Sequence, residues 1–106
     1  MGLNLLIWKW TPDLDTPAKR KKQGLKYDAV RSGFSGTGTH SAMASNDFAA
    51  FDRALVTELG KEGVDGPYIL WRHPNGRVVD LPHSKIDLVP IIGRLAQKHG
   101  LTSAEL

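Results

Sequence analysis

The chain contains no cysteine among its 106 residues. That excludes disulfides, thiolate chemistry and cysteine-based zinc sites together, and it is compatible with a reducing compartment. Long hydrophobic runs are also missing. The opening "MGLNLLIWKW" has one short apolar stretch and no basic region before it, so it is expected neither to act as a signal peptide nor to span a bilayer. A myristoylation signal would place Ser or Thr where Leu6 stands. The expectation is a cytoplasmic protein without membrane attachment. Internal repeats and low-complexity tracts are absent as well.

What is present suffices for one domain over residues 1–106. The hydrophobic fraction is 41% and the charged fraction 24%, enough apolar surface for a core at a common domain length. A chain this short has little room for an elaborate active-site cleft. The net charge of +3 is uneven: residues 1–45 hold seven Lys/Arg against three Asp, whereas residues 46–106 hold seven against eight acids. Attraction to an acidic partner would therefore be felt in the N-terminal half.

The hydrophobic pattern orders the elements. "LNLLIWKW" (3–10) reads as a strand with Leu3, Leu5 and Ile7 on one face and Leu6, Trp8 and Trp10 on the other. Two apolar faces predict a central strand or one covered on both sides. Thr16 and Pro17 open a short helix as cap and first helical residue, and Gly24 closes it. Leu25, Tyr27, Val30 and Phe34 suit a second short amphipathic helix. "SGTGTHSAMAS" is predicted to be loop throughout. Phe48, Phe51, Leu55 and Leu59 form one helical stripe, with Ser45 or Asn46 as cap and Gly60 as stop.

In "PYILWRHPNGRVVDLP", Asn75-Gly76 between two β-rich runs is a hairpin signal. Pairing across it sets Trp71 opposite Asp80 and His73 opposite Val78. Tyr68, Leu70, Arg72, Val79 and Leu81 then share the better core face, and Ile69, Trp71, His73, Val78 and Asp80 the other. A last helix begins near Leu88 or Val89, because Pro90 is tolerated only in a first turn, and it ends at Gly100. "LTSAEL" is expected to add a closing turn capped by Thr102. The order β-α-α-α-β-β-α gives an α+β fold, with a small, largely antiparallel three-stranded sheet packed by helices.

Four signals bear on chemistry. The basic run at Lys19, Arg20, Lys21 and Lys22 fans around its helix instead of forming a stripe. Asp13 and Asp15 can fold back onto Lys19 or Arg20, so a solvated face with local ion pairs competes with a partner-facing patch. "GFSGTGTH" (33–40) lacks the Lys-Ser/Thr of a nucleotide-binding loop and the preceding strand of a dinucleotide fold, which favours a connector. The four histidines, at 40, 73, 83 and 99, show no metal-ligand spacing. A His73–Asp80 pair beside an indole resembles a catalytic fragment, but no nucleophile is placed next to it. On the second hairpin face an indole, a histidine and an acid sit together, a mixture that suits protein interfaces. Trp71 packing with Trp8 or Trp10 under a helix is the competing reading.

With "LNLLIWKWTPDLDTPAKRKK", "GTHSAM", "FAAF" and "LVPIIGRLAQKHGLTSAEL" in view, the chain resembles a family of small, uncharacterised bacterial proteins that we associate with immunity proteins of polymorphic and type VI secreted toxins. The resemblance spans nearly the whole chain and is looser over "ELGKEGVDGPYILWRHPNGRVVDLP". It implies a cytosolic, non-enzymatic binder of a cognate toxin, with no cofactor and no catalytic residues to carry over. The expected contacts are Trp71, Arg72, His73, Arg77 and Asp80, joined by Lys19, Arg20 and Lys22. The alternative expectation is nucleic-acid or anion binding through residues 19–26, whose affinity would fall steeply with salt.

Overall fold

The computed structural model describes residues 3–24, 30, 34, 41–63 and 68–105, apart from the side chains of Tyr68, Leu70 and Trp71. Strand β1, Leu3–Trp10, runs through the middle of the molecule. Leu5, Leu6 and Ile7 each pair with strands on both edges: β4 (Gly76–Leu81) on one side and β5 (Thr102–Glu105) on the other, both antiparallel. Beyond them Lys9 and Trp10 pair with the short β2, Met43–Ala44. β3, Tyr68–His73, pairs with β4. The fold is α+β, and its described sheet has five strands instead of the expected three.

β1 is covered on both faces, as its two apolar faces required. Leu5 and Ile7 belong to a core with Val79 and Leu81, closed by helix α2 (Ala49–Lys61) through Phe51, Leu55 and Leu59 and by helix α3 (Val89–Lys98) through Ile92, Leu95 and Ala96. Leu6, Trp8 and Trp10 belong to a second core with Leu14, Val30, Ala42, Met43 and Val78. Trp8 and Trp10 meet edge to face, with ring centroids 5.3 Å apart. Burying each such side chain contributes about 1.5–3 kcal/mol, so one eight-residue strand anchors two cores.

Both extra strands form where local sequence gives no strand signal. α3 ends in a Schellman pattern: Gly100 takes φ +71°, its N–H donates to the Gln97 carbonyl at 3.0 Å, and the Leu101 N–H donates to Ala96 at 2.8 Å. Leu101 is buried in the first core. The reversal lays Thr102–Glu105 along the open edge of β1, where backbone pairing replaces the expected closing turn. Met43–Ala44 likewise pairs with β1 inside a stretch expected to be loop.

α1, Pro17–Lys22, starts as its sequence requires: the Thr16 hydroxyl accepts the Lys19 N–H at 3.3 Å, Pro17 follows, and Gly24 ends the helix. α2 departs from expectation at both ends. Its cap position is not Ser45 or Asn46 but Phe48, which has no side-chain acceptor, because the helix starts only at Ala49, after the Asn46 N–H has donated to the Pro74 carbonyl at 2.9 Å. The Asp47 carboxylate instead accepts the Ala49 N–H at 2.9 Å. At the other end the helix passes through Gly60 and stops at Gly63, which takes φ +79°. α3 begins at Val89 with Pro90 in its first turn, as expected. Val30 and Phe34 are helical. The rest of the predicted helix over 25–34, and the connector with His40, lie outside the described residues.

Candidate functional site at the hairpin tip

The β3–β4 turn is one residue earlier than expected. His73 pairs with Gly76, so Pro74 and Asn75 form the loop and Gly76 opens β4. No described non-glycine residue has positive φ and Gly76 is not among the positive-φ glycines, so the primed turn that Asn-Gly favours is not used. Asn75 has other work: its Nδ2 donates to the Met43 carbonyl at 2.8 Å, and its N–H donates to His73 Nδ1 at 3.1 Å. These bonds, with Asn46 on Pro74, tie the tip to the segment leading into α2.

The register changes accordingly. Trp71 pairs with Val78 and Arg72 with Arg77. A bulge between Ile69 and Trp71 then sets Ile69 opposite Val79 and Tyr68 opposite Asp80. The expected pairs Trp71–Asp80 and His73–Val78 do not form. The extra residue also moves Ile69 to the face of Val79 and Leu81, where it packs against the first core. His73 sits opposite Gly76 while Asp80 lies four residues farther along β4, roughly 13 Å at the strand rise. The catalytic fragment suggested by the sequence is not assembled.

What assembles is an Arg–Asp–Arg cluster. Asp52, one helical turn after Phe48 on α2, accepts from Arg77 Nε at 3.2 Å (Oδ1) and from Arg77 Nη2 at 3.3 Å (Oδ2). Arg77 Nη1 donates to the His73 carbonyl at 2.7 Å and to Gly76 at 2.9 Å, and the guanidinium lies 4.6 Å from the Phe48 ring centre. Every nitrogen of Arg77 is thus used inside the protein, and its side chain is only 13% exposed. Arg72 is different. Its side chain is 59% exposed and its Nη1 reaches Asp52 Oδ2 at 3.3 Å. Among the described residues it makes no further polar contact. Asn46, Asp47, Phe48, Arg72, His73, Pro74 and Arg77 line a shallow hollow of about 380 Å³.

Of the expected contact residues, the fold thus brings Arg72, His73 and Arg77 together. Trp71 is adjacent in β3, with its side chain outside the described set, and Asp80 is half-buried toward the far end of β4. Asp52 was not anticipated. Its signal was there: an acid on the apolar stripe of Phe48 and Leu55 needs a partner from another element.

The basic helix folds onto its own approach. Lys19 Nζ donates to Asp15 Oδ1 at 2.9 Å and to the Pro12 carbonyl at 3.0 Å. Arg20 Nη1 donates to the Leu14 carbonyl at 2.8 Å, and its guanidinium lies 4.6 Å from the Trp10 ring centre. The Lys19 hydrogen bond holds the Asp15 carboxyl below its ordinary range, and the Thr11 hydroxyl does the same for Asp13. Lys21 and Lys22 remain exposed. Among the described residues no group of three or more His, Asp or Glu is placed to hold a metal ion, and no helix is long and apolar enough to cross a membrane.

No protein-family model, no curated protein and no solved structure matches this chain.

Proposed function

We propose that this chain is a non-enzymatic protein-binding module that neutralises a cognate secreted bacterial toxin by covering its active site, with the hairpin tip as the contact surface. The observation that carries the reading is Arg72. It is a largely exposed guanidinium, held at one nitrogen by Asp52, on the rim of a hollow whose other walls are fixed by internal hydrogen bonds. Arginine held this way loses little freedom on binding and is enriched among the residues that dominate interface energy.

The sequence resemblance to small immunity-like bacterial proteins supports the choice of partner. The folding of Lys19 and Arg20 onto residues 12–15 favours a protein partner over nucleic acid, since it leaves Lys21 and Lys22 as the outward cations of α1.

Coexpression with the proteins encoded beside it tests the reading. A neighbour that arrests growth alone, and is tolerated when this chain is present, supports it. Loss of protection on Arg72→Glu, with the variant still folded, assigns the surface. Absence of any neighbour whose toxicity this chain relieves counts against the function.

A further inference from the structure

We propose that the hollow at the hairpin tip seats a single carboxylate from an acidic side chain of the protein partner, with Arg72 as the group that binds it; the proposal rests on the protein-binding reading above. At the hollow two carboxylates, Asp47 and Asp52, stand beside two guanidinium groups, so the charges balance and the donors decide what it holds. The spare donors are on Arg72, because Arg77 is enclosed and every one of its nitrogens already donates within the protein. A guanidinium offers five N–H donors in a planar fork, and Arg72 spends one nitrogen on Asp52. The remaining edge suits the two oxygens of a carboxylate.

The surroundings select for that group. Asp47 and Asp52 both lie at the hollow or against it. They balance Arg72 and Arg77, so the hollow has no net positive charge to favour a dianionic phosphate over a singly charged carboxylate. Pro74, exposed at the tip, supplies apolar wall for the methylene groups of an entering side chain. Asp52 acts as a positioning residue: it fixes the Arg72 guanidinium before the partner arrives, which lowers the ordering cost of binding.

The test is an NMR titration of the full chain, following the Arg72 Nε–Hε signal and the Asn46 and His73 backbone amides. The probes are acetyl-Gly-Glu-Glu-Gly-amide, its glutamine analogue and inorganic phosphate. The proposal expects saturable shifts with the glutamate peptide and none with the glutamine peptide. Affinity should fall about tenfold or more in Arg72→Gln, with partial retention in Arg72→Lys, whose charge remains but whose fork is lost. Should Arg72→Gln prove unfolded by its amide spectrum, Arg72→Lys carries the comparison.

Three results overturn the proposal: no shift at Arg72 with the glutamate peptide, unchanged affinity in folded Arg72→Gln, or tighter binding of phosphate than of the peptide. The growth assay separates the two ideas. Protection that survives Arg72→Gln, with no peptide binding, removes the carboxylate seat and leaves the function standing. Peptide binding at Arg72 without a protected neighbour does the reverse.

Discussion

Arg77 meets Asp52, its Nε 3.2 Å from Oδ1, and so joins the β3–β4 hairpin to α2 over 25 residues of sequence. Both side chains are mostly enclosed, at 13% and 19% exposure, whereas Arg72 contacts the same carboxylate from solvent. The two arginines therefore have unequal consequences. Arg77→Met is expected to cost about 2 kcal/mol, because it strips charged hydrogen bonds from a part-buried acid. Arg72→Gln is expected to cost less than about 1 kcal/mol. Urea denaturation of both variants checks the contrast, and added salt should shrink only the Arg72 effect. Equal losses would mean that Arg72 is also structural.

Two of the three glycines expected to stop helices, Gly60 and Gly100, behave oppositely. Gly60 lies inside α2 with open space where a Cβ would go, so Gly60→Ala should stabilise by about 0.5–1 kcal/mol. Gly100 has equally open space but φ +71°, so Gly100→Ala should destabilise by about 1–2 kcal/mol through backbone strain alone. Thermal unfolding midpoints should move in opposite directions.

Much of the fold was legible because local and global preferences agree. β1 shows its two buried faces in alternation, and α1 and α3 carry their boundaries in Thr16-Pro17, Pro90 and Gly100. The misreadings share one physical origin, which is tertiary pairing overriding local signal. Thr102–Glu105 has weak strand propensity and becomes a strand because β1 offers it an open edge. Asn75-Gly76 is a strong turn pair, yet Asn75 is held by the Met43 carbonyl, a contact 32 residues away in sequence, and the loop moves back to Pro74–Asn75. The site was half legible. Arg72, His73 and Arg77 were singled out from the hairpin, while the acid that organises them, Asp52, lies on a different element.

Asn75 should accordingly matter more than a surface turn residue. Asn75→Ala leaves the Met43 carbonyl without its side-chain donor and is expected to cost about 1 kcal/mol. Amide hydrogen exchange should accelerate first at Asn46, whose N–H is bound to the Pro74 carbonyl of the same turn. An exchange pattern unchanged at Asn46 would show that the tip is held without Asn75.

The acidic approach to α1 makes a pH prediction. The carboxyls of Asp13 and Asp15 are held below their ordinary value of 3.8 in the folded chain. Their contribution to stability is therefore fully present above that value and is lost as pH falls through the lowered one. Lys19→Met should move the Asp15 titration up toward 3.8 and leave that of Asp13 closer to unchanged, because Thr11 is the main cause there. Carboxyl NMR titration reads both groups. An Asp15 midpoint that does not rise in Lys19→Met would remove the ion pair as its cause.

The most direct test of the central claim is calorimetric titration of this chain with the growth-arresting protein encoded beside it, comparing wild type with Arg72→Gln and with Lys98→Gln on α3, a residue that does not line the hollow. The account predicts a one-to-one complex, weakened about tenfold or more by Arg72→Gln and unaffected by Lys98→Gln. No complex at micromolar concentrations would contradict the function, and a complex indifferent to Arg72 would contradict the hairpin tip as its contact surface.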